Sequence, residues 1–147
     1  MSLGDRELLQ AFQCARPDAV PRFGHREHLR VAWLTLGERE LIPALASFCT
    51  ELRRFAAAAG APDKYHETLS VGFLLLVHER MAATGAAADS EAFLAAHPDL
   101  LEWPQGPLSE LYTPGMLQSE AARAGFVLPD RVASKATVVP DRSAQTA

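Results

Sequence analysis

The sequence has few cysteines and no long hydrophobic run, and each of these shortages excludes a class of protein. The two cysteines, Cys14 and Cys49, are far apart and lack C-x-x-C spacing, so no disulfide framework is predicted. Both lie among apolar residues, which favours reduced, buried thiols, although a single disulfide is left open. The longest apolar stretch, residues 71–77, is too short to span a bilayer. The composition therefore indicates a protein with neither a disulfide scaffold nor a membrane span.

The sequence also lacks a large excess of positive or negative charge. The formal net charge is -4 and the isoelectric point is about 5.7, which gives no electrostatic reason to expect nucleic acid or an anionic membrane as a partner. Residues 1–10 contain acids and no apolar run, so no signal peptide is predicted. Together with a usage rich in alanine and arginine, this favours a cytoplasmic protein of bacterial type. The sequence contains no G-x-S-x-G, P-loop or G-x-G-x-x-G motif, so serine hydrolase, NTPase and dinucleotide-binding functions lack support.

Helical patterns are abundant, and no stretch alternates long enough to predict a strand. The 147 residues, of which 48% are hydrophobic, are enough for one domain with a substantial core. Asp63 and Ser90 are predicted as helix N-caps, and the centre of the fourth helix is apolar on all sides, as in a helix covered by neighbours. The predicted helices cover residues 5–15, 25–36, 40–59, 63–85, 90–96 and 116–124. We therefore predict an all-α bundle over residues 1–128, with an irregular proline-rich C-terminal segment, and an extended or mobile tail over residues 129–147.

Two similar histidine-containing segments stand at the starts of predicted helices. Residues 23–29 read F-G-H-R-E-H-L, and residues 64–69 read K-Y-H-E-T-L. Residues three and four apart share a helix face, so these histidines continue the apolar stripes of their helices. One helix separates the two in sequence. If neighbouring helices pack antiparallel, the second and fourth helices run parallel and their N-terminal ends meet at one end of the bundle.

Three imidazoles at one point predict a metal site formed by His25, His28 and His66. Imidazole and carboxylate ligands suit a divalent transition metal such as zinc, iron, manganese or nickel. Glu67 lies beside His66 and would act as a fourth ligand or as a general base. The spacing H-x-x-H differs from the H-E-x-x-H signature of zinc proteases, which excludes that assignment. This hypothesis makes the protein a metal-binding helical domain, and, if it is an enzyme, one acting on a small polar or anionic molecule.

Four further residues are candidates for substrate contacts. Tyr65 and Ser70 flank His66 on its helix, while Tyr112 and Arg123 belong to the C-terminal segment and would complete a lid. An arginine there would suit a carboxylate or phosphate.

Two alternatives remain open. Helix N-termini disfavour a bare cation, and the same geometry would hold an anionic ligand through backbone N–H groups and protonated histidines. The protein would then be a non-enzymatic binding module for a small ligand or a protein. In the second alternative, His25 and His28 cap a helix locally and His66 is a hydrogen-bonded core residue.

The combined pattern resembles that of small bacterial helical proteins with no established activity. It consists of F-x-H-x-x-H-L at residues 23–29, K-Y-H-E-T at residues 64–68 and A-R-x-x-F-V-x-P-D at residues 122–130. A looser resemblance is to DinB-type helical bundles, which hold a metal with three histidines from two helices. Their paired histidines are spaced H-x-x-x-H, whereas this chain has H-x-x-H, so no residue role follows from that resemblance.

Overall fold

The computed structural model describes residues 3–131, and within that range the chain folds into α-helices and short 3₁₀ turns without strands. The predicted all-α fold is confirmed. The α-helices are α1 (Asp5–Gln13), α2 (His25–Glu38), α3 (Leu41–Ala58), α4 (Glu67–Thr84), α5 (Ser90–Ala96), α6 (Pro107–Leu111), α7 (Pro114–Leu117) and α8 (Glu120–Ala124). The 3₁₀ turns are Pro17–Ala19, Pro62–Lys64 and Pro98–Leu101. No helix among residues 3–131 is long and apolar enough to cross a membrane.

Helices α2 and α4 form the centre of the bundle. Helix α2 packs against α1, α3, α4 and α5, and α4 packs against α2, α3 and α8. The residues of α4 from Ser70 to Leu74 are all buried, which places neighbours on several sides of this helix, as its apolar pattern predicts. In the adjoining core, the ring of Phe12 in α1 lies with its centroid 5.8 Å from those of Phe48 and Phe55 in α3.

The start of α4 differs from the prediction. Asp63 was expected to cap this helix, but it belongs to the Pro62–Lys64 turn, and Tyr65 and His66 that follow have extended backbone angles. The N-cap is His66, whose Nδ1 accepts a hydrogen bond from the backbone N–H of Leu69 at 3.1 Å. The proline turn uses three residues before the helix begins, so the cap moves three positions along the chain.

Other helix ends also differ from the predictions. Helix α2 continues through Gly37, which lies in open space, and helix α5 is capped by Asp89 because the Asp89 carboxylate accepts from Ala92 N–H. The single predicted helix over 116–124 is two helices, since Ser119 breaks it and caps α8 through Ala122 N–H.

Both cysteines were expected to be buried, and this prediction is confirmed for one of them and wrong for the other. Cys49 is a buried free thiol, but Cys14 is exposed, because it follows the last turn of α1 on the side away from the buried Phe12. At the C-terminal end, Asp130 accepts hydrogen bonds from the backbone N–H and hydroxyl of Thr113, and Arg131 N–H donates to Leu111 O at 3.0 Å. These contacts hold residues 130 and 131 against the body. The rest of the predicted tail lies outside the described residues.

Candidate functional site

A pocket of about 660 Å³ opens where α2 and α4 begin, and we call it the histidine pocket because His25, His28 and His66 all line it. The loop before α2 contributes Phe23 and the end of α3 contributes Phe55. The structure thus brings both histidine segments to one end of the bundle. Each imidazole, however, has a different set of partners, and these partners decide what it can do.

His25 retains one free ring nitrogen. Its Nε2 lies 2.8 Å from the backbone carbonyl of Leu100 and donates a hydrogen bond to it, since a carbonyl can only accept. No hydrogen bond to Nδ1 is formed within residues 3–131, so this nitrogen is an available acceptor. The ring lies edge-on to Phe73 at 4.6 Å. Burial lowers the pKa of His25, with the Leu100 carbonyl partly opposing the shift, so the ring is neutral at pH 7.

His28 is partly buried, and its ring lies among aromatic side chains. Its ring stacks on Phe48 with centroids 5.3 Å apart, and its Nε2 is buried without a hydrogen-bond partner among the described residues. Burial, reinforced by the neighbouring His25, lowers the pKa of His28 to about 3. Neutral His28 therefore brings an unpaired polar nitrogen to an apolar environment, which costs free energy unless something binds it.

His66 has no free nitrogen. In addition to capping α4 through Nδ1, it lies with Nε2 2.7 Å from Leu117 O, to which it donates. A metal bound by His66 would have to displace one of these two bonds. Within residues 3–131, no group of three or more His, Cys, Asp or Glu side chains is arranged to hold a metal ion. The three-histidine metal site stays a prediction.

Glu67 lies beside the pocket and does not line it. Its Oε1 accepts hydrogen bonds from the Tyr65 hydroxyl and from Arg53 Nη2, the latter at 3.1 Å. The Arg53 guanidinium also lies over the Tyr65 ring, 4.6 Å from its centroid. Burial and the bond to Glu67 raise the pKa of Tyr65, which keeps the phenol protonated. As a ligand or general base, Glu67 would first have to leave these partners.

The predicted substrate contacts fall into two groups. Tyr65 and Ser70 line the pocket, and the Ser70 hydroxyl donates to His66 O at 2.7 Å. Tyr112 and Arg123 lie outside the lining. The Tyr112 hydroxyl donates to Val127 O at 2.7 Å, and the Arg123 guanidinium donates to the backbone carbonyl of Asp63. The Arg123 contact connects the C-terminal segment to the turn before α4, whereas the Tyr112 contact lies within that segment.

The sequence analysis did not identify three of the lining residues as site candidates: Arg22, Lys64 and Trp103. Arg22 and Lys64 are exposed and form no ion pair with any described residue, and no Asp or Glu of residues 3–131 lines the pocket. Trp103 stands edge-on to Phe73, with centroids 5.5 Å apart. The sequence offered a signal for the two cations, because Arg22 directly precedes one histidine segment and Lys64 begins the other, whereas Trp103 comes from a distant part of the chain.

Comparison with known proteins found no family model, curated protein or solved structure that matches the chain. The geometry of the pocket is therefore the basis for any functional assignment.

Proposed function

We propose that the protein binds a small anionic molecule with an apolar body in the histidine pocket. The observation that supports this most is the charge of the lining, which combines two unpaired cations with histidines and contains no carboxylate among the described residues. The volume falls within the range of roughly 300–1,000 Å³ that is typical of small-molecule sites.

The walls favour a ligand with an apolar part. Phe23, Phe55 and Phe73 supply aromatic faces, and Leu52 and Leu69 lie between them. Burying apolar ligand surface against such walls contributes about 25 cal/mol per Å². A purely polar anion would leave this surface uncovered.

The electrostatics favour a negative charge on that body. Lys64 and Arg22 supply formal positive charge, and the N-termini of α2 and α4 add partial positive charge at the same end of the bundle. His28 supplies a buried polar nitrogen that a ligand group can bind, and His25 supplies a second through Nδ1. A cationic ligand would meet like charge at Lys64, at Arg22 and at both helix N-termini.

Calorimetric titration with three ligands of one shape tests this proposal. We expect 2-naphthoate to bind about fivefold more tightly than the neutral 2-naphthamide, since one ion pair contributes up to about 1 kcal/mol, with 2-naphthylmethylamine weakest. Lys64→Gln and Arg22→Gln should reduce the preference for the anion, while Arg54→Gln, an exposed arginine outside the pocket, should not. Equal affinity for the three probes, or no saturable binding of any, would refute the proposal.

Metal analysis of protein purified without a histidine tag addresses the other prediction. One divalent metal ion per chain, lost in a folded His25→Ala variant, would favour a metal-dependent enzyme acting on a small polar or anionic molecule. Metal-free protein that binds 2-naphthoate would favour the binding function proposed here.

A further inference from the structure

A second, smaller cavity of about 220 Å³ shares Val20, Pro21 and Arg22, in the loop that precedes α2, with the histidine pocket. We call it the arginine cavity because Arg22 and Arg30 line it, together with Glu27 and apolar residues including Leu8 and Val20. Its volume is several times the roughly 30 Å³ that one water molecule occupies in the liquid. A group larger than a single water therefore fits.

Arg30 is 1% exposed, which is unusual for a charged side chain, and most of its donors are satisfied. Its Nε donates to Ser90 Oγ at 2.8 Å, and its Nη2 donates to Leu3 O at 2.7 Å and to Asp5 Oδ1 at 3.0 Å. Glu91 Oε2 lies 3.5 Å from Nε. These contacts fix the plane of the guanidinium.

The remaining nitrogen of that guanidinium, Nη1, is buried and has no hydrogen-bond partner among the described residues. An unpaired donor on a buried cation is costly, and the cost is removed when an oxygen atom accepts from it. Because its neighbours hold the guanidinium in place, Nη1 cannot turn to solvent without breaking the bonds to Ser90 and Asp5.

The charged side chains that line the cavity favour a singly charged anion as the ligand. Arg22 forms no ion pair with a described residue, and Glu27 is the one acid that lines the cavity within residues 3–131. Asp5 contacts Arg30 at Nη2 and does not line the cavity, and Glu91 is shared between Arg30 and Arg26. A net lining charge of about one positive suits a monoanion better than a dianion.

We infer that the arginine cavity is a separate binding site for a small monocarboxylate. One carboxylate oxygen accepts from Arg30 Nη1, and the charge pairs with Arg22. A carboxylate provides planar acceptors that match a guanidinium. This inference shares Arg22 with the function proposed for the histidine pocket, whereas Arg30 and Glu27 line the arginine cavity alone.

Acetate titration of the full chain labelled in its arginine side chains tests the inference by NMR, with chloride keeping the ionic strength constant. The Arg30 N–H resonances should shift and reach saturation, while those of Arg54 should not move. A shift of Arg30 that stays linear in acetate, or no shift at all, would mean that water alone occupies the cavity and would overturn the inference.

Two substitutions with opposite expected signs sharpen the test without disturbing Arg30. Glu27→Gln keeps the oxygen that accepts from Gly24 N–H at 2.8 Å and removes the charge, so acetate should bind about twofold to fivefold more tightly. Arg22→Gln should weaken binding by a similar factor, and the matched Arg54→Gln should change nothing. Equal responses in all three variants would overturn the inference.

A third variant separates the two sites. His28→Leu changes the histidine pocket, so it should leave the acetate response of Arg30 unchanged. If that response disappears in His28→Leu, acetate binds in the histidine pocket and the arginine cavity is not the site. Arg30→Lys, where it folds, should abolish acetate binding and leave 2-naphthoate binding intact.

Discussion

His28 and His66 begin from similar sequence settings and have opposite chemistry in the fold. His66 uses both ring nitrogens, one for Leu69 N–H and one for Leu117 O, whereas His28 has a buried Nε2 without a partner in the described part of the chain. A bonded histidine stabilises the structure, and an unbonded buried one destabilises it in the absence of a ligand. This difference makes His28, and not His66, the residue with unused binding capacity.

His28→Leu should therefore stabilise the protein while weakening ligand binding. Removing an unpaired buried nitrogen and keeping the contact with Phe48 should raise the free energy of unfolding by about 1 kcal/mol at pH 7, measured by urea denaturation. The difference should widen as the pH falls below about 6.5. The unfolded wild-type chain then takes up a proton at His28 that the folded chain, with a pKa of about 3, does not bind.

A less stable His28→Leu protein, with a difference that stays constant between pH 7 and pH 5, would contradict this account. It would mean that the His28 ring makes a favourable polar contact in the fold.

At the scale of the element, His66 connects α4 to α7. It caps α4, and its other nitrogen binds the last residue of α7, which lies 51 positions along the chain. The hydroxyl of Ser70, one helical turn later, donates a hydrogen bond to the His66 carbonyl. The first turn of α4 and the C-terminal segment therefore depend on the same imidazole.

His66→Ala should lower the free energy of unfolding by about 2 kcal/mol, roughly half from the lost cap and half from the lost bond to Leu117. His66→Asn restores the capping acceptor and should recover about 1 kcal/mol in the same thermal or urea denaturation experiment.

If His66→Asn is no more stable than His66→Ala, capping is not the role of His66. If a chelator destabilises the wild-type protein to the level of His66→Ala, metal ligation explains the residue better than hydrogen bonding does.

The sequence predicted helices well and predicted bonding partners poorly. Periodicity and short connections were enough to place His25, His28 and His66 at one end of an all-α bundle. The carbonyl partners of His25 and His66 lie 75 and 51 residues away, and local spacing carries no information about them. The contact between Arg30 and Ser90, 60 residues apart, was hidden for the same reason.

At the scale of the whole molecule, the pocket exists because helices α2, α3 and α4 end or begin together. The Phe55 end of α3 meets the starts of α2 and α4, and the loop around Phe23 closes one side. The rings of Phe23 and Phe55 are 4.6 Å apart, so this wall joins the loop to the bundle. Among the described residues, acidic side chains lie outside the pocket lining. The Glu67 carboxylate, which accepts a hydrogen bond from the Tyr65 hydroxyl, is an example.

Anion binding in this pocket should strengthen as the pH falls from 8 to 5.5. Burial places the pKa of His25 below 6.5 in the free protein, and a bound carboxylate favours the imidazolium, so binding takes up a proton. Calorimetry in two buffers of different ionisation enthalpy measures that uptake for 2-naphthoate. The neutral 2-naphthamide is the control and should show no pH dependence, and an equal pH dependence of both ligands would contradict the linkage.

The most direct test of the anion-binding pocket is NMR of the histidine side chains during titration with 2-naphthoate. His78 and His97 do not line the pocket and serve as internal controls. We predict saturable shifts of the His25 and His28 ring resonances with one common affinity, and unchanged His78 and His97. Shifts at His78 or His97 in place of His28, or no shift of His28 at saturation, would contradict the central claim.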